Sequence, residues 1–335
     1  MNLSIAQTNP PALETRFLPP PNWRWHRFQT AQGRNIRFGT AAPQSPVPSA
    51  IIIGLQGLSE YTEKYFELAN NLVDHNLSFW MMDWQGQGRS DRYLKNPYKR
   101  HVTSFQQDVE DLHYFIMEYV KHAAVHPDVG RIPLVMLGHS MGANIGLHYL
   151  KKYPDIFSCA AFSAPMVGIQ AMNRTPFAPL AARFMNFMAP SCYVPGGKDW
   201  NKEMRTDDFE DWFSSDPIRK EIHNAWMVAD PALQIGNVTC KWLYEALQSA
   251  KRLQRDNVAQ SIDIPCLFGL AENKNLVDND AARAFASQMK NAQIIDFPTS
   301  KHEILMENDD IRSAFLNAIL KMLETNNIQE QLKPF

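Results

Sequence analysis

Short apolar runs alternate with longer amphipathic stretches along most of the chain. The short runs predict strands, and the amphipathic stretches predict helices. Runs such as "SAIIIGLQG" (49–57), "IPLVMLGHS" (132–140) and "IPCLFGLA" (264–271) have the length of buried strands. Stretches such as "YTEKYFELANNLVD" (61–74) place their large apolar residues near one helical face. About eight strands with interleaved helices follow from these patterns, which predicts an α/β fold with a mostly parallel sheet flanked by helices.

The alternation stops between Met166 and about Ile262, where the chain is rich in Met, Phe, Trp and Pro. Helical patterns continue there, and strand signals return only at "IPCLFG" (264–269). We therefore predict a helical cap inserted into the core. The predicted boundaries are an N-terminal extension (1–20), a core (21–166 and 262–327), a cap (167–261) and a C-terminal tail (328–335).

Composition narrows the class of protein without identifying it. The 335 residues are 45% hydrophobic and 20% charged, with a formal net charge of −2, which gives no electrostatic reason to expect a nucleic-acid partner. The four cysteines are scattered, so we expect reduced and mostly buried thiols and no metal site. Without a signal-peptide pattern or a long apolar run, the sequence predicts a cytoplasmic protein. Peripheral contact with the inner face of the membrane and the oligomeric state stay open.

The chemistry starts at "GHSMG" (138–142), a G-x-S-x-G motif between a predicted strand and a predicted helix. A nucleophilic serine needs a tight turn that exposes its hydroxyl, and glycines on both sides permit that turn. Ser140 is thus the predicted nucleophile. The N–H of Met141, at the start of the helix, is a predicted donor to a developing oxyanion.

Two further loops fit the chain order of a serine hydrolase. Gly57 follows the strand "AIIIGL", and we expect the N–H of Leu58 to be the second oxyanion donor. His302, in "FPTSKHEILMEN" (297–308), follows the last predicted strand and precedes the last predicted helix. It is therefore the predicted general base for Ser140.

The motifs "GHSMG", "DWQGQGRSDR" (83–92) and "SKHEIL" (300–305), in this order, resemble the α/β-hydrolase superfamily. More narrowly, the chain resembles its monoacylglycerol lipases and bacterial lysophospholipases, and cap segments such as "YVPGGKDW" (193–200) resemble the lysophospholipase branch. The resemblance implies a serine carboxylester hydrolase that needs no cofactor. Its expected substrate is a lipid-like ester, a lysophospholipid or a monoacylglycerol. Asp83 and Arg89 are expected to tie down the "DWQGQGRSDR" loop.

The chain departs from these relatives at two places. Gln56 stands before Gly57 where relatives commonly carry histidine, which leaves the backbone donor of the loop unaffected. In "LFGLAENKNLVDNDA" (267–281), Lys274 occupies the position where relatives carry the acid that orients the catalytic histidine. Glu272 and Asp278 are the two candidate acids in this stretch, although Asp278 also suits the N-cap of the following helix. An acid from elsewhere in the chain is an open alternative. A slow enzyme that lacks this acid stays an alternative.

Substrate contacts are predicted from the composition of the cap, where large flexible apolar side chains could line an acyl-chain tunnel. They are Phe177, Phe184, Met185, Phe187 and Met188. Two other functions stay open. One is a binding protein that has lost its catalytic activity, and the other is a peptidase or thioesterase on the same fold, because a fold does not determine a substrate.

Overall fold

The computed structural model describes residues 10–173, 177–204, 212–255, 257–273 and 276–328. One eight-stranded sheet forms its centre. The strands are β1 (Arg24–Gln29), β2 (Asn35–Ala41), β3 (Ala50–Leu55), β4 (Leu77–Met82), β5 (Leu134–His139), β6 (Cys159–Ser163), β7 (Cys266–Ala271) and β8 (Ala292–Phe297). Their order across the sheet is β1-β2-β4-β3-β5-β6-β7-β8.

The sheet is parallel from β4 to β8, and only the pairs β1–β2 and β2–β4 are antiparallel. Every residue of β3, β5, β6 and β7 is buried, whereas the edge strands β1 and β8 expose several residues. Parallel strands direct their carboxyl ends to one edge, so the loops after β3, β5, β7 and β8 meet there. This architecture confirms the predicted fold class.

Helices cover the sheet and form the segment between β6 and β7. They are α1 (Phe66–Asp74), α2 (Phe105–Phe115), α3 (Met141–Lys152), α4 (Gln170–Asn173), α5 (Ala178–Met188), α6 (Arg219–Ala229), α7 (Cys240–Arg255), α8 (Asn279–Ala286) and α9 (Asp309–Thr325). A π turn over Ile116–Val120 and a short helix over Lys121–Ala123 continue α2. In the part of the chain described, no helix is both long and apolar enough to cross a membrane.

The predicted cap segment divides into two parts in the structure. Helix α7, its last helix, packs against α3 and contributes Trp242, Ala246 and Leu253 to the main hydrophobic core. Helix α6 instead forms a second, smaller core with the 3₁₀ helix Thr15–Phe17 and the start of α1. The structure therefore packs part of the predicted N-terminal extension against α6, and the last helix of the predicted cap against the sheet domain.

A buried arginine joins the start of α6 to the core. Arg219 makes two hydrogen bonds of 2.8 Å to the carboxylate of Glu67 on α1, and it donates to the Glu307 carbonyl at 2.9 Å. Such a bidentate pair fixes orientation as well as distance. Removing one partner of a buried pair leaves the other charge uncompensated. The two charges must therefore stay paired, which fixes the start of α6 beside Glu67 on α1.

Most of the cysteines are buried, as the sequence predicts. Cys159, Cys240 and Cys266 are buried, Cys192 is exposed, and all four are unpaired. Burial raises the pKa of the Cys159 thiol to about 12. A buried thiol that keeps its proton behaves as a small apolar residue, so Cys159 contributes packing to β6 rather than chemistry.

Candidate active site

Ser140 occupies the tight turn between β5 and α3. Its backbone has φ 50° and ψ −113°, a conformation with positive φ that costs a non-glycine residue about 1–3 kcal/mol. Gly138 and Gly142 flank the turn where no side chain fits. A Cβ added at Gly138 would lie 2.9 Å from Ala143 Cα, and one at Gly142 would lie 2.1 Å from the Leu55 carbonyl oxygen. The sequence thus places glycine at the two positions where this turn needs it.

His302 lies in the loop after β8 and reaches the serine across the carboxyl edge of the sheet. Its Nε2 is 3.0 Å from Ser140 Oγ, although the two residues are 162 positions apart in sequence. Both side chains are buried. The structure therefore brings the predicted nucleophile and the predicted base within hydrogen-bond distance.

The surroundings of His302 keep its ring neutral. Burial lowers its pKa to about 3, and the neighbouring His139, whose ring centre is 5.0 Å away, adds to the effect. Glu303 and Glu60 act in the opposite direction, and Lys64 lowers the pKa further. At neutral pH the imidazole is thus in the form that accepts a proton, and the Ser140 hydroxyl donates to it.

The loop after β3 lies directly against the nucleophile. A Cβ added at Gly57 would come within 3.3 Å of Ser140 Cβ. The N–H of Gly57 donates to Glu60 Oε2 at 2.6 Å, and the N–H of Ser59 donates to Gln87 Oε1 at 3.2 Å. Within the described residues, the N–H of Leu58 meets no protein acceptor. This N–H would be available to an oxyanion.

The second predicted donor lies at the start of α3. Met141 is the first residue of this helix, and first-turn N–H groups have no acceptor within their own helix. The positive end of the helix dipole lies at the same point, next to Ser140. Met141 directly follows Ser140, and Leu58 directly follows Gly57, which lies against Ser140. Their roles as oxyanion donors stay predictions.

The cap segment after residue 211 holds the histidine loop in place. The carbonyl oxygens of Trp212 and Phe213 accept hydrogen bonds from the backbone N–H groups of His302 and Glu303, at 3.1 and 2.9 Å. Ser214 Oγ donates to the Met306 carbonyl at 2.5 Å. Because the cap supplies these acceptors, the position of His302 depends on cap packing as well as on the sheet.

Glu272 makes its contacts away from the catalytic histidine. It follows β7, and its carboxylate receives a hydrogen bond of 2.6 Å from Arg283 on α8. The side chains of both partners are about a third exposed, at 36% each. Arg283 also pairs with Asp296 on β8, so Glu272 belongs to a surface ion-pair cluster.

Asp278 caps helix α8 and is partly buried. Its Oδ1 accepts the N–H of Ala281 at 3.0 Å, and its own N–H donates to the Gly168 carbonyl at 3.1 Å. A Cβ at Gly168 would lie 3.3 Å from Asp278 Oδ2, so the second carboxylate oxygen is directed toward that segment. Lys274, at the position of the acid in related enzymes, lies outside the described residues. Its neighbour Asn273 donates to the Ser300 carbonyl in the histidine loop at 2.9 Å.

Comparison with known proteins agrees with this geometry. A family model described as "Serine aminopeptidase, S33" (Hydrolase_4) matches residues 46–309. The chain belongs to this family. The matched range contains the loop of Gly57, the turn at Ser140 and the loop of His302, so it covers these three loops of the candidate site in this hydrolase.

Proteins similar to this hydrolase include ones named as lysophospholipases and as monoglyceride lipases. It is 27% identical over 301 residues to a probable lysophospholipase L2 of Haemophilus influenzae, covering 88% of this chain and 90% of the relative. It is 28% identical to human monoglyceride lipase over 172 residues, covering 51% of this chain and 52% of that lipase. A soluble variant of monoglyceride lipase from Saccharomyces cerevisiae, solved with a substrate analog, has a TM-score of 0.72 at 18% identity, covering 95% of this chain and 99% of the lipase chain. At that identity, the last likeness shows the fold alone.

The "DWQGQGRSDR" loop of the hydrolase is structural, as expected. Asp83 is buried and accepts hydrogen bonds from Arg37 Nε at 2.7 Å, from the N–H of Thr62 at 3.0 Å and from the N–H of Arg89 at 2.9 Å. Gln56, where relatives carry histidine, donates to the same carboxylate at 3.2 Å. Asp83 therefore holds the start of the loop after β3 (residues 56–60), which carries the predicted oxyanion donor and is called the oxyanion loop below.

The predicted substrate residues lie on helix α5 and just before it. Met185 is half-buried, whereas Phe177, Phe184, Phe187 and Met188 are 63–83% exposed. These four side chains face outward from the cap and do not enclose a tunnel. Their role in binding an acyl chain stays a prediction.

Sequence reasoning missed a buried ionic cluster beside His302. Lys64 Nζ lies 2.7 Å from Glu60 and 2.6 Å from Glu303. Glu60, Glu303 and His139 also have the spacing of a metal site, with ligand atoms within 4.8 Å of one another. The ammonium group already supplies the positive charge that a cation would bring. Glu303 follows His302 in "SKHEIL", which is the one signal in the sequence that could have revealed it.

Proposed function

We propose that this protein hydrolyses the acyl ester of a lysophospholipid or a monoacylglycerol through an acyl-enzyme on Ser140. The observation that carries the proposal is the 3.0 Å contact between Ser140 Oγ and His302 Nε2 at a strained strand-to-helix turn. A binding protein would gain nothing from this strain. The relatives named as lysophospholipase and monoglyceride lipase support the substrate class.

The reaction follows from the positions of these groups. Neutral His302 accepts the hydroxyl proton of Ser140 while Oγ attacks the ester carbonyl, and the N–H groups of Leu58 and Met141 receive the oxyanion. The imidazolium then protonates the departing alcohol, leaving an acyl-enzyme. His302 next accepts a proton from water, whose oxygen attacks the acyl carbonyl. The fatty acid leaves, and the proton returns to Ser140.

A substrate panel tests this function against the peptidase and thioesterase alternatives. We expect kcat/KM for 1-monooleoylglycerol or oleoyl lysophosphatidylcholine to exceed that for leucine p-nitroanilide and oleoyl-CoA by at least about 10²-fold, roughly 2.7 kcal/mol. The rates are measured by fatty-acid release, by nitroaniline absorbance and by thiol release. A higher kcat/KM for the anilide would favour the aminopeptidase activity after which the family is named, and would contradict the proposal.

We further infer that the outer face of α5 contacts a lipid surface. Phe177, Leu180, Phe184, Phe187 and Met188 recur at helical spacing and are all 63–83% exposed. On the opposite side of the helix, Ala182 is buried where α5 packs on α7. A lipid-ester hydrolase must take its substrate from a membrane or a micelle, and an apolar helical face gives it a means to stay there.

Vesicle binding tests the role of this face. The double variant Phe184→Ser/Phe187→Ser is expected to bind phosphatidylcholine vesicles at least about tenfold more weakly, because two large apolar surfaces are lost. The rate on soluble p-nitrophenyl butyrate should stay within about twofold of wild type.

The matched control is Val125→Ser/Val129→Ser, which removes two similarly exposed apolar side chains outside α5, 59% and 58% exposed. Co-sedimentation with vesicles measures the binding of all three proteins. Unchanged vesicle binding in the α5 variant would contradict the proposal. Loss of a dimer in analytical ultracentrifugation would instead assign the face to self-association.

A further inference from the structure

A buried ionic bridge connects two catalytic loops that come from opposite ends of the chain. Lys64 Nζ contacts Glu60 Oε1 at 2.7 Å and Glu303 Oε2 at 2.6 Å, and all three side chains are at most 5% exposed. Glu60 lies at the end of the oxyanion loop, and Glu303 follows the catalytic histidine. The ammonium group thus fixes the separation of the two loops.

At one end, the bridge shapes the oxyanion loop. Glu60 Oε2 accepts the N–H of Gly57 and the hydroxyl of Tyr65, each at 2.6 Å. Gln87 holds the same loop from the other side, since its amide donates to the carbonyls of Gly57 and Glu60 at 2.9 and 2.8 Å. The peptide that presents the N–H of Leu58 therefore depends on the position of the Glu60 carboxylate.

At the other end, the bridge holds the histidine loop. Glu303 is joined to His302 by one peptide bond, and its own N–H donates to the Phe213 carbonyl. His302 Nε2 bonds to Ser140 Oγ. A displacement of the Glu303 side chain would move the backbone on which the catalytic imidazole is carried.

The charges explain why a lysine stands at the centre. Two buried carboxylates without a cation between them would repel, and each would lose several kcal/mol of hydration. The ammonium group lies between the two carboxylates and contacts both. Although burial opposes it, Lys64 and His139 hold the pKa of Glu60 below its usual range. That carboxylate is therefore ionised at working pH.

We propose that Glu60, Lys64 and Glu303 are positioning residues for the ester hydrolysis, which join the oxyanion loop to the histidine loop so that both act on one substrate carbonyl. This rests on the proposed function for its substrate but not for its geometry. None of the three side chains needs to touch the substrate, because Glu60 acts through the backbone of Gly57 and Glu303 acts through His302.

Two variants test the bridge, and one distant variant serves as a control. Glu303→Gln keeps the shape of the side chain and the Lys64–Glu60 pair, and breaks only the ionic link between the loops. We expect kcat on p-nitrophenyl butyrate to fall by about 10²-fold, the usual cost of a misplacement near 1 Å, with KM within about threefold. Lys64→Met should lower kcat at least as far. Lys152→Met, which removes the exposed pair with Glu110, should leave kcat unchanged.

The pH profile separates a positioning role from a loss of folding. The groups that face His302 are His139, Lys64, Glu60 and Glu303. The two carboxylates raise the pKa of His302, so Glu303→Gln should move the acid limb of kcat/KM to lower pH. Lys64 lowers this pKa, so Lys64→Met should move the acid limb to higher pH. Partial unfolding would lower activity without opposite shifts.

A second readout does not depend on the substrate class. The rate constant for labelling Ser140 with a fluorophosphonate should fall in Glu303→Gln and Lys64→Met, while circular dichroism shows a native fold. If Lys64→Met does not fold, Glu303→Gln decides. Labelling rates and acid limbs equal to those of wild type would overturn the bridge, even in an active esterase. Normal labelling of the wild type without ester turnover would instead overturn the proposed function.

Discussion

Replacing Ser140 with alanine is expected to lower the turnover of a monoacyl ester by at least about 10⁴-fold, or about 5.5 kcal/mol in the activation barrier. The reason is that Oγ is the atom that forms the acyl-enzyme. In the variant, no other nucleophile of the protein takes its place. KM should change little, since the loss falls on the chemical step. Steady-state hydrolysis of p-nitrophenyl butyrate and monooleoylglycerol measures this effect.

The same change should leave the fold intact or stabilise it slightly. Alanine keeps the Cβ, and the strain at φ 50° comes from the backbone and not from the hydroxyl. Ser287→Ala, which removes an exposed hydroxyl at the end of α8, is the matched control and should retain full activity. Labelling by a fluorophosphonate should disappear only in Ser140→Ala. Esterase activity that survived Ser140→Ala would contradict the whole mechanism.

The centre of the sheet was predictable because its strands are buried on both faces. "SAIIIGLQG" (49–57) and "IPLVMLGHS" (132–140) are largely apolar runs, and the structure places β3 and β5 within them, at Ala50–Leu55 and Leu134–His139. The order of the strands across the sheet could not be predicted in this way. Pattern alone does not say that β4 lies between β2 and β3, because strand order depends on how the crossover helices pack.

Ser140 and His302 were predictable for a reason of chain order. Each follows a strand of the parallel part of the sheet, and parallel strands end at a common edge, so two distant motifs converge. The Lys64 bridge was not predictable in this way. Residues Thr62–Tyr65 form a 3₁₀ helix in which all four side chains are buried, whereas a helical pattern would place Lys64 toward water. Only the three-dimensional structure shows that Lys64 is buried between the carboxylates of Glu60 and Glu303.

The cap boundary illustrates the limit of periodicity. Helix α7 has an apolar stripe like that of any surface helix, and the sequence assigned it to the cap with α5 and α6. In the structure, Trp242 and Leu253 of this stripe pack in the main hydrophobic core. An apolar stripe predicts that one face of a helix is buried. It does not predict which other element covers that face, because this depends on the tertiary structure. The same limit applies to Phe184 and Phe187, which the stripe of α5 directs outward.

Two substitutions test which acid orients His302. We expect Asp278→Asn to lower kcat by more than about 10²-fold and Glu272→Gln to leave it within about threefold. Glu272 is bound by Arg283 at the surface, so its charge is directed away from the base. The cap of α8 uses Asp278 Oδ1, and Asp278 is the other acid that the sequence offers. Where the orienting carboxylate of a serine hydrolase becomes an amide, turnover falls by up to about 10⁴-fold.

The substitution to asparagine isolates charge from structure. Asparagine caps a helix about as well as aspartate does, so the melting temperature of Asp278→Asn should stay close to that of wild type. Arg283→Gln is the control for the surface cluster and should behave like Glu272→Gln. A normal kcat in Asp278→Asn would exclude it as the orienting acid. In that case Glu303 and Glu60 would be the described carboxylates that raise the pKa of His302, and Glu303→Gln should then lower kcat more than Asp278→Asn and Glu272→Gln do.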